Sequence, residues 1–224
     1  MLFSMKKTVK FIESIFDILY LLTILILACF LLFSPAFTGV LQMKFGFLAL
    51  LLAFGDAFHL IPRIRAMWDA TASNYDFILG LGKMVSSVTM TLFYLGLWHI
   101  GTITYDINNT LFNAIVIGLA IIRIIICLLP QNKWMNPNTS SNIYIWRNIP
   151  LLLLGIFVML LFIFGSKETA SGHAAIWLPI LLSFFFYIPV ILFSQKNPKI
   201  YILMLPKSCA YIAIIFAGFS FFAA

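Results

Sequence analysis

Charge is scarce in this sequence. Of 224 residues only 9% are Asp, Glu, Lys or Arg, with 7 acids against 14 bases. Soluble domains carry roughly 25% charged residues, so a cytosolic enzyme with a hydrated surface is excluded. Cysteine is also scarce, at 3 residues. Cys29, Cys127 and Cys209 all lie in apolar runs and form no CxxC pair. That excludes a disulfide-built secreted scaffold and a thiolate metal site, and predicts that all three are buried small hydrophobes. Histidine numbers 3, too few for a His-rich metal centre. No metal and no cofactor is expected. Internal repeats, linkers and low-complexity tracts are missing too, which excludes a disordered tail and leaves one domain over residues 1–224.

Apolar residues are abundant. They make up 63% of the chain, and the mean hydropathy is +1.08. A soluble globule of this size has no interior large enough to hide them. The predicted class is an all-α, polytopic transmembrane helix bundle. Seven segments carry it: Ile12–Ser34, Leu41–Pro62, Phe77–Ile100, Thr110–Leu129, Ile145–Phe164, His173–Phe193 and Ile200–Phe222. Each is long enough to cross ~30 Å of hydrocarbon as a helix. The runs are too long and too uniform for strands, and a lipid-exposed span satisfies its own backbone only as a helix. The first segment follows a basic N-terminus and is expected as a retained helix, not a cleaved leader. The longest connection, Pro130–Tyr144, is rich in Asn, Ser and Pro and predicts a surface loop.

The bases orient the bundle. With the N-terminus in the cytoplasm, that side carries Lys6, Lys7, Lys10, Arg63, Arg65, Lys133, Arg147, Lys196 and Lys199, against Lys44 and Lys167 outside. This is a strong positive-inside bias. It places the N-terminus inside and the C-terminus outside. The net charge of +7 is then loop charge around spans, and no nucleic-acid partner is expected.

Three bases remain within the spans: Lys83, Arg123 and Lys207. Asp56 and His59 join them on the second segment. Each charge inside a span costs roughly 2.5–3.5 kcal/mol on insertion scales, so each is expected to face protein or a wet cavity. Counted from the helix ends at 1.5 Å per residue, Asp56, Lys83, Arg123 and Lys207 all fall ~9–11 Å below the inner boundary. They form one layer in the cytoplasmic half. Asp56, His59 and Arg63 share a helix face, as do Lys83, Ser87, Met90 and Tyr94; Lys207 and Tyr211 are one turn apart. Glu13 and Asp17, at the inner end of the first helix, can reach the same layer. His99, His173, Trp98 and Trp177 sit near outer ends and read as interfacial.

Two arrangements satisfy this layer. In one, Asp56 forms a buried ion pair with Lys83 or Lys207, and the other bases snorkel to the headgroups. In the other, a cavity open to the inner leaflet holds surplus positive charge for a phosphate, with Asp56 and His59 as acid–base groups. Lys83, Ser87, Tyr94, Arg123, Lys207 and Tyr211 are then the binding residues. The expected partner is a phospholipid or another amphipathic anion; the oligomeric state is left open. A transporter or binding protein for such an anion would use the same layer without chemistry.

The stretch Gly55-Asp56-Ala57-Phe58-His59-Leu60-Ile61-Pro62-Arg63-Ile64-Arg65 resembles the lysoplasmalogenase family. Its members carry a Gly-Asp pair late in a helix that in some bacterial members runs into a Leu-Pro-Arg stop. The next helix, from Leu79-Gly80-Leu81-Gly82 to Phe93-Tyr94, is similar to the family's following helix. The resemblance implies hydrolysis of the vinyl-ether bond of a lysophospholipid, a bacterial cytoplasmic membrane, and Asp56 as a catalytic general acid with His59 as its partner. The family places a second carboxylate after a serine in its penultimate helix. Here Ser183 is followed by Phe184, so Glu13, Asp17 or His59 would fill that role.

Overall fold

A computed structural model describes residues 7–34, 39–69, 75–107, 109–135, 141–168, 176–194 and 197–219. The described chain is all helical. The principal helices are α1 (Lys7–Phe33), α2 (Val40–Trp68), α3 (Asp76–Thr104), α4 (Thr110–Leu128), α5 (Ser141–Trp146), α6 (Ile149–Glu168), α7 (Trp177–Phe193) and α8 (Met204–Ala217). Six helical spans are long and apolar enough to cross a membrane, and α7 is a shorter apolar helix. The chain is thus a polytopic helix bundle, built as the apolar segments predict. Helices α1, α2, α3, α6, α7 and α8 pack in sequence, α8 closes back on α1, and α4 lies against α3 and α6. Most of α1 and α4 faces outward, with large side chains such as Phe30, Leu111 and Ile125 exposed. That is stable where the surroundings are lipid.

Several boundaries differ from the sequence reading, each for a local reason. Helix α2 does not stop at Pro62 but runs six residues further, with Pro62 buried inside it. The N-terminal end of α1 holds this extension. Lys10 Nζ donates to the Met67 carbonyl at 2.9 Å, Trp68 Nε1 donates to Ser14 Oγ at 3.0 Å, and Arg63 pairs with Glu13. A lysine on the last carbonyls of a helix also complements its dipole. Arg63, expected as a loop charge, is therefore a helix residue in an ion pair.

The Pro130–Tyr144 connection is not simply a surface loop. It opens with a 3₁₀ turn, Pro130–Asn132, and leads into α5. Asn132 is buried, and its side-chain amide donates to the Ile126, Cys127 and Leu129 carbonyls. Trp134 Nε1 donates to the Cys127 carbonyl at 2.8 Å. The end of α4 is thus capped from below. Residues 136–140 of that loop lie outside the described residues. The fifth segment breaks at Arg147 and Asn148, so α6 begins at Ile149. The seventh opens with a 3₁₀ stretch, Pro198–Leu203, before α8. Trp98 is buried, not interfacial, and donates to Asn113 Oδ1 at 2.8 Å. His99 is exposed and meets Lys44 at 2.8 Å. Cys127 is buried, but Cys29 and Cys209 are exposed; all three are free. Lys6, His173, Lys196 and Phe222 lie outside the described residues.

Candidate functional site

A polar belt crosses the interior of the bundle. At one end stand carboxyl groups. Asp56 Oδ2 accepts a hydrogen bond from Tyr20 Oη at 2.6 Å, and Oδ1 accepts one from Ser86 Oγ at 3.3 Å. Glu13, Asp17, Tyr20 and Ile24 follow one helical stripe of α1, which turns Asp17 and Tyr20 inward. Asp17 is buried at 4% exposure. Its Oδ2 has no hydrogen-bond partner, and the charges that act on it are Arg63, Glu13 and Asp56. Among the described residues the one ion pair is Arg63–Glu13. Asp56 is held by hydroxyls, not by Lys83 or Lys207, although Lys207 acts on it electrostatically. His59, one turn beyond Asp56, is half-buried, and its Nδ1 has no partner.

The middle of the belt is aromatic. Tyr94 is 1% exposed. Its hydroxyl lies 3.0 Å from Ser183 Oγ. Ser183 donates its own proton to the Ile180 carbonyl at 2.8 Å, so Tyr94 is the donor between them. The Tyr94 hydroxyl also meets that of Tyr211. Phe93 packs edge-on against Tyr211 at 5.8 Å.

The other end is cationic. Lys207 Nζ stands over the Tyr187 ring at 4.3 Å and the Tyr211 ring at 5.0 Å. Such contacts stabilise an ammonium away from water. Tyr187 Oη and Arg123 Nη2 each donate to Asn148 Oδ1 at 3.0 Å. Asn148 sits at the break before α6, and its amide is anchored on the Tyr144 carbonyl at 2.7 Å. Arg147 stacks over Trp134 at 4.0 Å and Tyr144 at 4.5 Å. Among the described residues Arg123 is the largest fully buried side chain, at 1% exposure. It does not snorkel.

Of the residues singled out from sequence, Asp56, Tyr94, Arg123, Lys207 and Tyr211 share this belt, with His59 beside it. Lys83 is exposed, and Ser86 rather than Ser87 meets Asp56. Sequence reasoning missed Tyr20, Asn148 and Tyr187. Tyr20 was legible, since it extends the Glu13–Asp17 stripe. Asn148 and Tyr187 carried no signal, because their roles depend on a helix break and on helix rotation. Arg147 was read as a loop charge and is buried at 8% exposure. Among the described residues, no three His, Cys, Asp or Glu side chains gather to hold a metal ion. An apolar groove of about 570 Å³ along α1, lined by Leu25, Ile26, Cys29, Phe30, Phe33 and Ser34, lies apart from the belt and has no charged lining.

Chemically, the belt offers two carboxyls within electrostatic reach of each other, hydroxyl donors between helices, and buried cations opposite. Comparison with protein-family models, with curated proteins and with solved structures finds no match to this chain.

Proposed function

We propose that the protein is a membrane-embedded hydrolase of lysoplasmalogenase type, acting on the vinyl-ether linkage of a lysophospholipid from the inner leaflet of a bacterial cytoplasmic membrane. The observation that carries this reading is the second carboxyl group. Vinyl-ether hydrolysis needs a proton delivered to carbon, then water added to the oxocarbenium carbon. The hemiacetal collapses to a fatty aldehyde and a glycerol hydroxyl. One acid can begin this; a second group is needed to stabilise the cation and to activate water. Glu13 is committed to Arg63. Asp17 is buried, has an oxygen without a partner, and feels the charge of Asp56.

The roles follow from the hydrogen bonds. Asp56 accepts from two hydroxyls, which suits the ionised member that stabilises the cation. Asp17 then delivers the proton, and the free Nδ1 of His59 receives one from the attacking water. This exchanges the acid role that the family resemblance implies for Asp56. A second reading, an anion-binding or transport protein without chemistry, is favoured by the surplus of buried cations at the other end of the belt.

The test is mass spectrometry of vinyl-ether, alkyl-ether and ester lysophospholipids incubated with the unmodified protein, Asp56→Asn and Asp17→Asn. Loss of the vinyl-ether lipid with matching aldehyde is expected only with the unmodified protein. Intact lipid in every sample, still bound to the protein, supports the second reading and sinks the hydrolase.

A further inference from the structure

We infer that the cationic end of the belt is a receptor for a phosphate group, centred on Arg123 and completed by Arg147 and Lys207. Arg123 carries five N–H donors and no acceptor. Nη2 donates to Asn148. Nε and Nη1 hold three of the five N–H groups, are buried, and have no hydrogen-bond partner. A buried guanidinium left so is costly, because charge taken from water requires both a counter-charge and satisfied hydrogen bonds.

Among the described residues no carboxylate forms an ion pair with Arg123. The charged groups acting on Arg147 include Arg123, a second cation, and no Asp or Glu. The charges acting on Lys207 are one carboxyl, Asp56, and one cation, Arg123. Arg123, Arg147 and Lys207 are each less than 9% exposed. They approach from α4, from the break between α5 and α6, and from α8, with the positive end of the α6 dipole starting at Ile149 beside them. Three cations converging from three elements suit an anion with acceptors in several directions. A tetrahedral phosphate has them, and a planar carboxylate offers fewer. Asn148, itself held by the Tyr187 hydroxyl, fixes the guanidinium through Nη2, so the unpartnered N–H groups of Nε and Nη1, on either side of it, are oriented before an anion arrives.

The inference takes from the proposed function only the lipid as the source of the phosphate. Phosphate binding stands even where Asp56 and Asp17 do no chemistry. The test titrates the purified full chain with three probes: sodium phosphate, a single-chain glycerophosphate lipid, and the uncharged monoacylglycerol of equal chain length. Fluorescence of Trp134, stacked on Arg147, gives the readout. The phosphate lipid is expected to bind more tightly than the monoacylglycerol. Arg123→Gln is expected to weaken it roughly ten- to a hundredfold, with monoacylglycerol binding unchanged. Sodium phosphate binding as tightly as the lipid would identify free phosphate as the ligand. Equal affinity for charged and uncharged lipids, or unchanged affinity in Arg123→Gln, would overturn the site. Should Arg123→Gln not fold, Lys207→Gln and the wild-type lipid comparison decide it. Asp17→Asn separates the two readings: turnover lost with phosphate affinity kept supports both, turnover lost with equal affinities for charged and uncharged lipid rejects the phosphate site alone, and turnover kept with phosphate affinity kept rejects the Asp17 chemistry alone.

Discussion

Gly82 decides how closely α2 and α3 approach, and Gly82→Ala tests that directly. Pro62 has no N–H, so the Phe58 carbonyl one turn earlier loses its helical donor. Gly82 of α3 packs its backbone against that carbonyl. A Cβ there would overlap the Phe58 oxygen and lie 3.0 Å from His59 Cα. Carbon atoms rest ~3.5–4.0 Å apart, so the helices would have to separate by about 0.5–1 Å. Backbone atoms cannot rotate away as a side chain can. Overpacking of this kind costs ~1–3 kcal/mol, offset by up to ~1 kcal/mol from the better helix propensity of Ala. Gly118 on α4 is the control, because a Cβ there meets nothing within 4 Å. Gly118→Ala should stabilise by ~0.5–1 kcal/mol. Thermal unfolding in detergent should therefore rank Gly118→Ala above wild type and Gly82→Ala below it. The same separation would stretch the 3.3 Å Ser86–Asp56 bond beyond hydrogen-bonding range. Equal melting temperatures for the two variants would refute the close-approach reasoning.

Three further outcomes follow from the structure. Tyr105, at the C-terminal end of α3, is buried with an unpartnered hydroxyl, and burial pushes its phenol up to about 12. The folded state then holds this proton more tightly than the unfolded chain. Its contribution to stability is complete below pH ~10 and lost as pH rises through about 12. Denaturant titrations across that window should show a fall that Tyr105→Phe reduces; identical pH slopes would count against it. Tyr20→Phe removes the 2.6 Å donor to Asp56 while keeping the ring, and should cost ~1–3 kcal/mol. Combined with Asp56→Asn, its effect on melting should be non-additive; simple additivity would deny the coupling. Lys10→Met should loosen the last turn of α2 by ~0.3–1 kcal/mol, seen as faster amide exchange near Trp68, and unchanged exchange would show that the α2 extension stands without it.

The bundle was legible because hydrocarbon demands long apolar runs, and those runs survive any detail of packing. Helix α4 ends within one residue of its expected limit. The C-terminal end of α2 and the connection after α4 were less legible. Pro62 and the Asn-rich loop are strong local breakers, but Lys10, Glu13 and Ser14 on α1, distant in sequence, hold α2 beyond its proline. The polar layer was readable as a depth, since Asp56, Arg123 and Lys207 stand at similar distances from their helix ends. Its partners were not. Whether Asp56 meets Lys207 or Tyr20 depends on the rotation of three helices, and a rotation leaves residue spacing unchanged. Arg123 illustrates the limit most clearly: sequence places it in a span, and only packing shows that Asn148 holds one of its nitrogens and that two stay unpaired.

Delivery of a proton from a carboxylic acid to the vinyl carbon is the step on which the proposed chemistry depends. The direct measurement is turnover of a vinyl-ether lysophospholipid in D₂O, with the aldehyde analysed by mass spectrometry. Acid catalysis at carbon by Asp17 predicts one deuterium beside the aldehyde carbon, a slower rate than in H₂O, and no aldehyde from Asp17→Asn. Aldehyde without deuterium, or full turnover by Asp17→Asn, would contradict it.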